Sequence, residues 1–198
     1  MEDRLTSVIA AHLAASRQLM DRLCADAKLA RAIEAVARHG ASVLGAGGKI
    51  LLAGNGGSAA GAQHLAAELV GRLGHERPGL AAVALTADGA ALTALANDYG
   101  FAHVFARQVE ALGRAGDLLM VLSTSGQSPN VIAALHAARS RGLGTVGLTG
   151  TNGRSLAALC DHLIAIPSDD TQRIQEGHAV VGHIVCALIE QLVWPRPG

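Results

Sequence analysis

Five stretches of this 198-residue chain are short and apolar almost without interruption: KILLAG from Lys49, AAVALT from Ala81, LLMVLST from Leu118, GTVGLTG from Gly144 and HLIAIPS from His162. A strand with one wet face alternates apolar and polar residues, whereas a strand covered on both faces reads as a continuous apolar run. Helix-like stretches separate the runs: Ser58 to Leu73, Ala90 to Leu112 in one or two pieces, Pro129 to Arg141, and Ser155 to Leu159. A last helix is expected from Thr171 or Gln175 to Val193. This alternation predicts the α/β class, with a five-stranded parallel sheet flanked by helices. Ligands of such sheets bind beyond the carboxyl ends of the strands, so the segment after each run is where function is to be sought.

Ahead of the first run, Leu5, Val8, Ile9 and Leu13, then Leu29, Ile33 and Val36, recur at helical spacing. They predict two helices broken near CADAK, lying outside the alternation. The division expected is residues 1–46 as an N-terminal helical pair and 47–198 as the α/β core of a single domain, the pair serving contacts between subunits. Half of the residues are hydrophobic, but only two Phe, one Tyr and one Trp are present, so the core must rest on Ala, Val, Leu and Ile. Sixteen basic residues balance sixteen acidic ones, without the basic patch expected of a nucleic-acid binder. Cys24, Cys160 and Cys186 are far apart and read as reduced, mostly buried thiols of a cytosolic protein. No secretory signal is evident in MEDRLTSVIAAHLAAS, and no run approaches the roughly 20 apolar residues of a membrane span. A cytoplasmic protein with neither nucleic-acid nor membrane partners is expected.

The first run leads into GNGGSAAG (Gly54 to Gly61). Glycines let the backbone turn sharply and bring its N–H groups to an anion, while Ser58 is placed to cap the following helix. A Walker loop is excluded because no Gly-Lys-Ser/Thr follows. Gly54, Gly56 and Ala59 fit the GxGxxA dinucleotide pattern, but AAVALTA lacks the acidic residue that should end the second strand. A tight turn without a ligand is the remaining alternative. After the third run, STSGQSPN (Ser123 to Asn130) offers hydroxyls, a glycine and a proline at a helix start. It reads as a second cradle for a phosphate monoester, or as a bare turn capping a helix.

His64 and Glu68 stand at i and i+4, on one helix face. A surface pair or a buried satisfied pair would look the same, but the helix begins at the first loop, which favours chemistry. Gln175 and His183, eight residues apart, lie about 12 Å apart along a helix at ~1.5 Å per residue. They can meet one small ligand only if Gln175 sits in the lead-in to the helix or another subunit contributes. His178 points to a different face and reads as a core histidine.

LSTSGQSPNV after a hydrophobic strand resembles the phosphosugar signature of sugar isomerase (SIS) domains. AGNGGSAA…QHLAAEL, ANDYG and RIQEGHAVVGHIVC together resemble the phosphoheptose isomerases, from Lys49 to the C-terminus. The resemblance implies a flavodoxin-like three-layer sandwich and an aldose–ketose isomerase acting on sedoheptulose 7-phosphate through an enediol. It implies Glu68 as base and His183 as its acid or base partner, with Gln175 near the reacting oxygens. It also implies one zinc per subunit held by His64, Glu68, Gln175 and His183. Asn55, Gly56, Gly57, Asn97 and Asp98 would touch substrate, and Ser123, Thr124, Ser125 and Ser128 would hold its phosphate. A homotetramer with active sites between subunits is the assembly implied. Two positions depart from the pattern, Gly61 where an acidic residue is frequent and Gln127 where Asn or Lys is usual; neither is expected to touch a catalytic residue. The alternative function is a non-catalytic SIS protein that binds a replication-initiator protein. The presence of His64, Glu68, Gln175 and His183 argues against it, since a scaffold needs no such set.

Overall fold

Asp26 separates the first two helices. Its carboxylate accepts hydrogen bonds from the main-chain N–H groups of Lys28 (2.8 Å) and Leu29 (3.0 Å), the arrangement by which a short acidic side chain starts a helix. The computed structural model describes residues 2–196. Helix α1 spans Glu2–Ala25 and α2 spans Ala27–Gly45, so the break falls within CADAK as expected.

The rest alternates as the apolar runs require: β1 (Ile50–Gly54), α3 (Gly57–Val70), β2 (Ala82–Ala84), α4 (Gly89–Tyr99), α5 (Val104–Leu112), β3 (Leu118–Ser123), α6 (Pro129–Ser140), β4 (Gly144–Gly150), β5 (His162–Ile166) and α7 (Thr171–Val193). The stretch from Ala90 to Leu112 is two helices, divided at Gly100, whose φ of +80° suits glycine. The helix expected at Ser155–Leu159 is instead a 3-10 segment over Thr151–Ala158.

All strand pairs are parallel, in the order β2-β1-β3-β4-β5. This flavodoxin-like order reverses direction between β1 and β3, and the crevice at such a reversal is where α/β sheets bind ligands. Alternate strand residues enter opposite cores. Ile50, Leu52, Leu118, Met120 and Leu122 pack with α2, α3 and α7, while Leu51, Ala53, Leu119 and Val121 pack with α5 and α6. The result is a three-layer sandwich.

Helix α7 corrects one expectation. Its 23 residues are long and apolar enough to cross a membrane by length and composition. It is nevertheless the central helix of one layer: Ile174, Val181, Val185 and Ile189 are buried in the first core, and α7 also buries Arg173, His178 and Glu190. The thiols differ from expectation too, since only Cys186 is buried; Cys160 is half-buried and Cys24 exposed.

On α1, Leu5, Val8, Ile9 and Leu13 are exposed. The stripe read from the sequence therefore faces away from this chain's own sheet, whereas Leu29, Ile33 and Val36 of α2 are buried against it.

Candidate active site

The two glycine- and serine-bearing loops leave the adjacent strands β1 and β3, so both open at the reversal point. Gly54 ends β1 where any side chain would strike the main chain of Ser58, with a Cβ falling 2.7 Å from its carbonyl oxygen. Gly56 then turns the backbone at φ +55° and stands at the N-cap of α3 without a side-chain bond. The expected cap, Ser58, is instead buried within the first turn of the helix.

A residue that the sequence reading did not single out ties the loops together. Asn130, buried in the first turn of α6, donates to Asn55 Oδ1 (2.8 Å) and accepts from Asn55 Nδ2 (2.9 Å). An amide carries its donor and its acceptor on separate atoms, so two of them can pair reciprocally in this way. The only sequence signal was its place directly after Pro129, inside the second loop.

In that second loop Ser123 Oγ accepts from the Gly126 N–H (3.1 Å) and lies 3.4 Å from Ser128 Oγ. Ser125 Oγ accepts from the Gln127 N–H (3.2 Å), and the Thr124 carbonyl accepts from the Gly150 N–H (3.2 Å). Gly126 has φ +65° and sits against Gly153, leaving no room for a side chain. Ser128 precedes Pro129 at the α6 N-cap but makes no capping bond with its hydroxyl.

Helices α3 and α7 lie side by side in register. Leu65 fills the space at Gly182, where a Cβ would fall 2.7 Å from its methyl groups, and this close approach sets His64 opposite His183. Their Nε2 atoms are 2.7 Å apart, and Glu68 Oε1 lies 3.4 Å from His64 Nε2. Two imidazole N–H groups cannot face each other at 2.7 Å, so at least one ring presents a lone pair there. One donor atom from each of His64, Glu68 and His183 falls within 4.8 Å of the others. Nitrogen and carboxylate donors grouped in this way suit a divalent transition metal.

Gln175 occupies a different part of the site. It lies within α7, not in its lead-in, and its amide packs on Gly57 at the start of α3. A cavity of ≈ 120 Å³ runs between, lined by Gly57, Gly61, His64, Leu122, Gln175 and His178 among others. His64 thus touches His183 on one side and the cavity lined by Gln175 on the other. Gly61 lines the same cavity, so one of the departures from the family pattern does border the site. Asn97 and Asp98 are not brought to it: they are exposed in the last turn of α4, hydrogen-bonded to each other (2.8 Å). No residue of α4 is buried in this chain.

The expected core histidine, His178, is buried, with 2 % exposure, yet it is not satisfied. Neither ring nitrogen has a hydrogen-bond partner among the described residues. Burial pushes its pKa down to about 4, against a smaller upward pull from the Thr149 main chain, so the ring is neutral at physiological pH. Cys186 is pushed up to about 12, chiefly by burial and then by the Glu68 carboxylate. It holds no thiolate for nucleophilic chemistry.

The chain matches the SIS domain family model over residues 11–150. It is 54% identical over 190 residues to a phosphoheptose isomerase of Bradyrhizobium sp. (strain ORS 278), covering 96% of both chains. It is 49% identical over 196 residues to that of Burkholderia pseudomallei (strain 1710b), covering 99% of this chain and all of the other. Solved phosphoheptose isomerase structures from Francisella tularensis (38% identity, TM-score 0.90, 94% of this chain and 98% of that one) and Neisseria gonorrhoeae (46%, 0.86, 94% and 99%) superpose on it. The chain belongs to the phosphoheptose isomerases. The two loops leave β1 and β3, the neighbouring strands at the reversal point of the sheet, and α3 starts at the first of them.

Proposed function

We propose that this protein, a single SIS domain over residues 1–198, is an aldose–ketose isomerase. It converts sedoheptulose 7-phosphate to D-glycero-D-manno-heptose 7-phosphate, the first step of nucleotide-activated heptose biosynthesis. The observation that carries this reading is the grouping of His64, Glu68 and His183 beside a cavity that Gln175 lines, at the sheet reversal shared with two anion-binding loops.

The reaction moves one proton between adjacent carbons and another between their oxygens. Glu68 takes the proton from the carbon next to the ketone and returns it to the former carbonyl carbon. His183, hydrogen-bonded to His64, moves the hydroxyl proton to the neighbouring oxygen, so the enediol stays neutral. Gln175 donates from its amide to the reacting oxygens as charge develops. Asn55, held by Asn130, and the Gly56–Gly57 turn position the sugar, while Ser123, Thr124, Ser125 and Ser128 hold the phosphate. The donor set of His64, Glu68 and His183 suits one zinc per subunit, with Gln175 joining it only from another subunit; the ion when bound would supply Lewis-acid polarisation of the carbonyl.

The site is open in one chain, with the His64 side chain 52% exposed. The exposed stripe of α1 and the unburied α4, carrying Asn97 and Asp98, support a homotetramer that closes it with a second copy. The reading is of a cytoplasmic enzyme.

Incubating the purified protein with sedoheptulose 7-phosphate and following the product by NMR tests the activity; absence of turnover with and without added zinc rejects it. Glu68→Gln should abolish turnover and leave the fold intact. Near-normal turnover in that variant would remove Glu68 from the role of base.

A further inference from the structure

Glu68 stands two residues from the end of α3, which closes at Val70. The last turn of a helix leaves carbonyl groups without a partner in the helix, and it frays unless something else takes them. Here the partner is Arg77. Its Nη2 donates to the Glu68 carbonyl (2.9 Å) and its Nη1 to those of Leu69 and Gly71 (both 2.8 Å). Its Nε donates to Glu190 Oε2 on α7 (3.0 Å). The same carboxylate accepts from the Leu73 and Gly74 N–H groups, between α3 and Arg77. The planar fork of a guanidinium lets one side chain face several acceptors in fixed directions. Both charged side chains are buried, with 2 % and 3 % exposure.

Stability alone is a poor reason for this pair. Taking two charges out of water is expensive, and well-packed apolar residues would join α3 to α7 as firmly. Apolar residues could not hold the carbonyls, however. The carbonyls held are those of the residue that carries the base and of the turn that ends its helix. Glu190 lies seven residues beyond His183, two turns along the same face of α7. One hydrogen-bonded unit therefore joins the Glu68 main chain, Arg77, Glu190 and the helix that carries His183.

We propose that Arg77 is a positioning residue for the isomerisation. Anchored on Glu190, it fixes the last turn of α3, so that the Glu68 carboxylate keeps its place beside His64 and His183. This deepens the isomerase reading and rests on it. The first loop opens the other end of α3 and the second leads into α6, so binding of the sugar phosphate does not depend on this contact. Arg77 therefore acts on kcat more than on KM.

The test separates position from stability. Arg77→Lys keeps a charge opposite Glu190, but a single ammonium cannot reach the carboxylate and the three carbonyls together. With the variant fully folded by circular dichroism, kcat for sedoheptulose 7-phosphate should fall about 10- to 100-fold and KM should stay within about threefold of wild type. Glu190→Gln, which removes the counter-charge of Arg77, should move kcat in the same sense. Val109→Ala, a cavity on α5 in the other core, is the control for lost stability. Its urea midpoint should fall while kcat stays within about twofold of wild type. Hydrogen exchange in the wild type needs no variant. The N–H of Gly71, bonded to the Ala67 carbonyl (2.8 Å), should be protected about tenfold or more beyond that of Arg141 at the exposed end of α6. A kcat in Arg77→Lys no lower than in Val109→Ala overturns the positioning role alone. So does a rise in KM at constant kcat, or equal protection at the two helix ends. Absence of turnover in the wild type overturns the isomerase reading beneath it.

Discussion

Gly57→Ala tests the site through a single methyl group. A Cβ at this position would lie 2.8 Å from both Nε2 and Oε1 of Gln175 and 3.0 Å from its Cδ. Comfortable contact between heavy atoms begins at about 3.5 Å, so the amide must retreat by about 0.7 Å or leave for another rotamer. The backbone does not resist the change, since Gly57 is the first residue of α3 and its φ is not positive. The obstructing atoms are the end of a flexible side chain, and stability should move by no more than about 1 kcal/mol. Activity should not be so tolerant. Loss of a neutral hydrogen bond costs about two- to tenfold, and displacement of a positioning group by about 1 Å costs up to about 10²-fold. The expected fall in kcat/KM for sedoheptulose 7-phosphate is therefore about 10- to 100-fold, with the urea midpoint nearly unchanged. Gly61→Ala is the control: it lies on the same helix and cavity, but its Cβ meets only Leu122 Cδ2, at 3.3 Å. Wild-type kcat/KM in Gly57→Ala, or equal losses in both variants, would refute the placement of Gln175 at the reacting oxygens.

Asn130→Ala should remove both amide bonds to Asn55, destabilise the protein by about 1–3 kcal/mol in urea unfolding, and raise KM by freeing Asn55. Glu190→Gln should cost about 3 kcal/mol, because the buried Arg77 guanidinium, 3.0 Å from this carboxylate, loses its counter-charge. The same carboxylate sets a pH dependence. Burial pulls its pKa upward, but the N–H groups of Leu73 and Gly74 and the Arg77 side chain outweigh burial and hold it below the ordinary value. Its contribution is then complete above the unfolded carboxyl pKa of about 4.3 and drains away as pH falls through the lower folded value. The stability gap between wild type and Glu190→Gln, followed by urea unfolding, should accordingly close at acid pH. Chelation of the purified protein should lower turnover and zinc should restore it, with about one ion per chain by elemental analysis in wild type and much less in His64→Ala.

The apolar runs and their helical intervals were enough to read the α/β class, the five strands and most of the helices, because continuous burial and a 3.6-residue period are local properties of the chain; the short stretch at Ser155–Leu159 was not, and is a 3-10 segment. The glycine at position 54, the two loops and the His64–Glu68 pair were equally legible, as turn chemistry and i,i+4 proximity need no partner from afar. Strand order was not. That β1 and β3 are neighbours, bringing Asn55 to Asn130, follows from how crossover helices pack on the sheet, and nothing in either loop's residues announces it. The meeting of His64 with His183 likewise depends on Leu65 seating against Gly182, a contact between residues 117 positions apart. His178 shows the limit most sharply: its spacing marks a buried face, and burial is what the structure contains, but only packing could reveal that its nitrogens find no partner. Local sequence determines which groups are offered, and tertiary packing decides which of them are left unsatisfied and facing the same space.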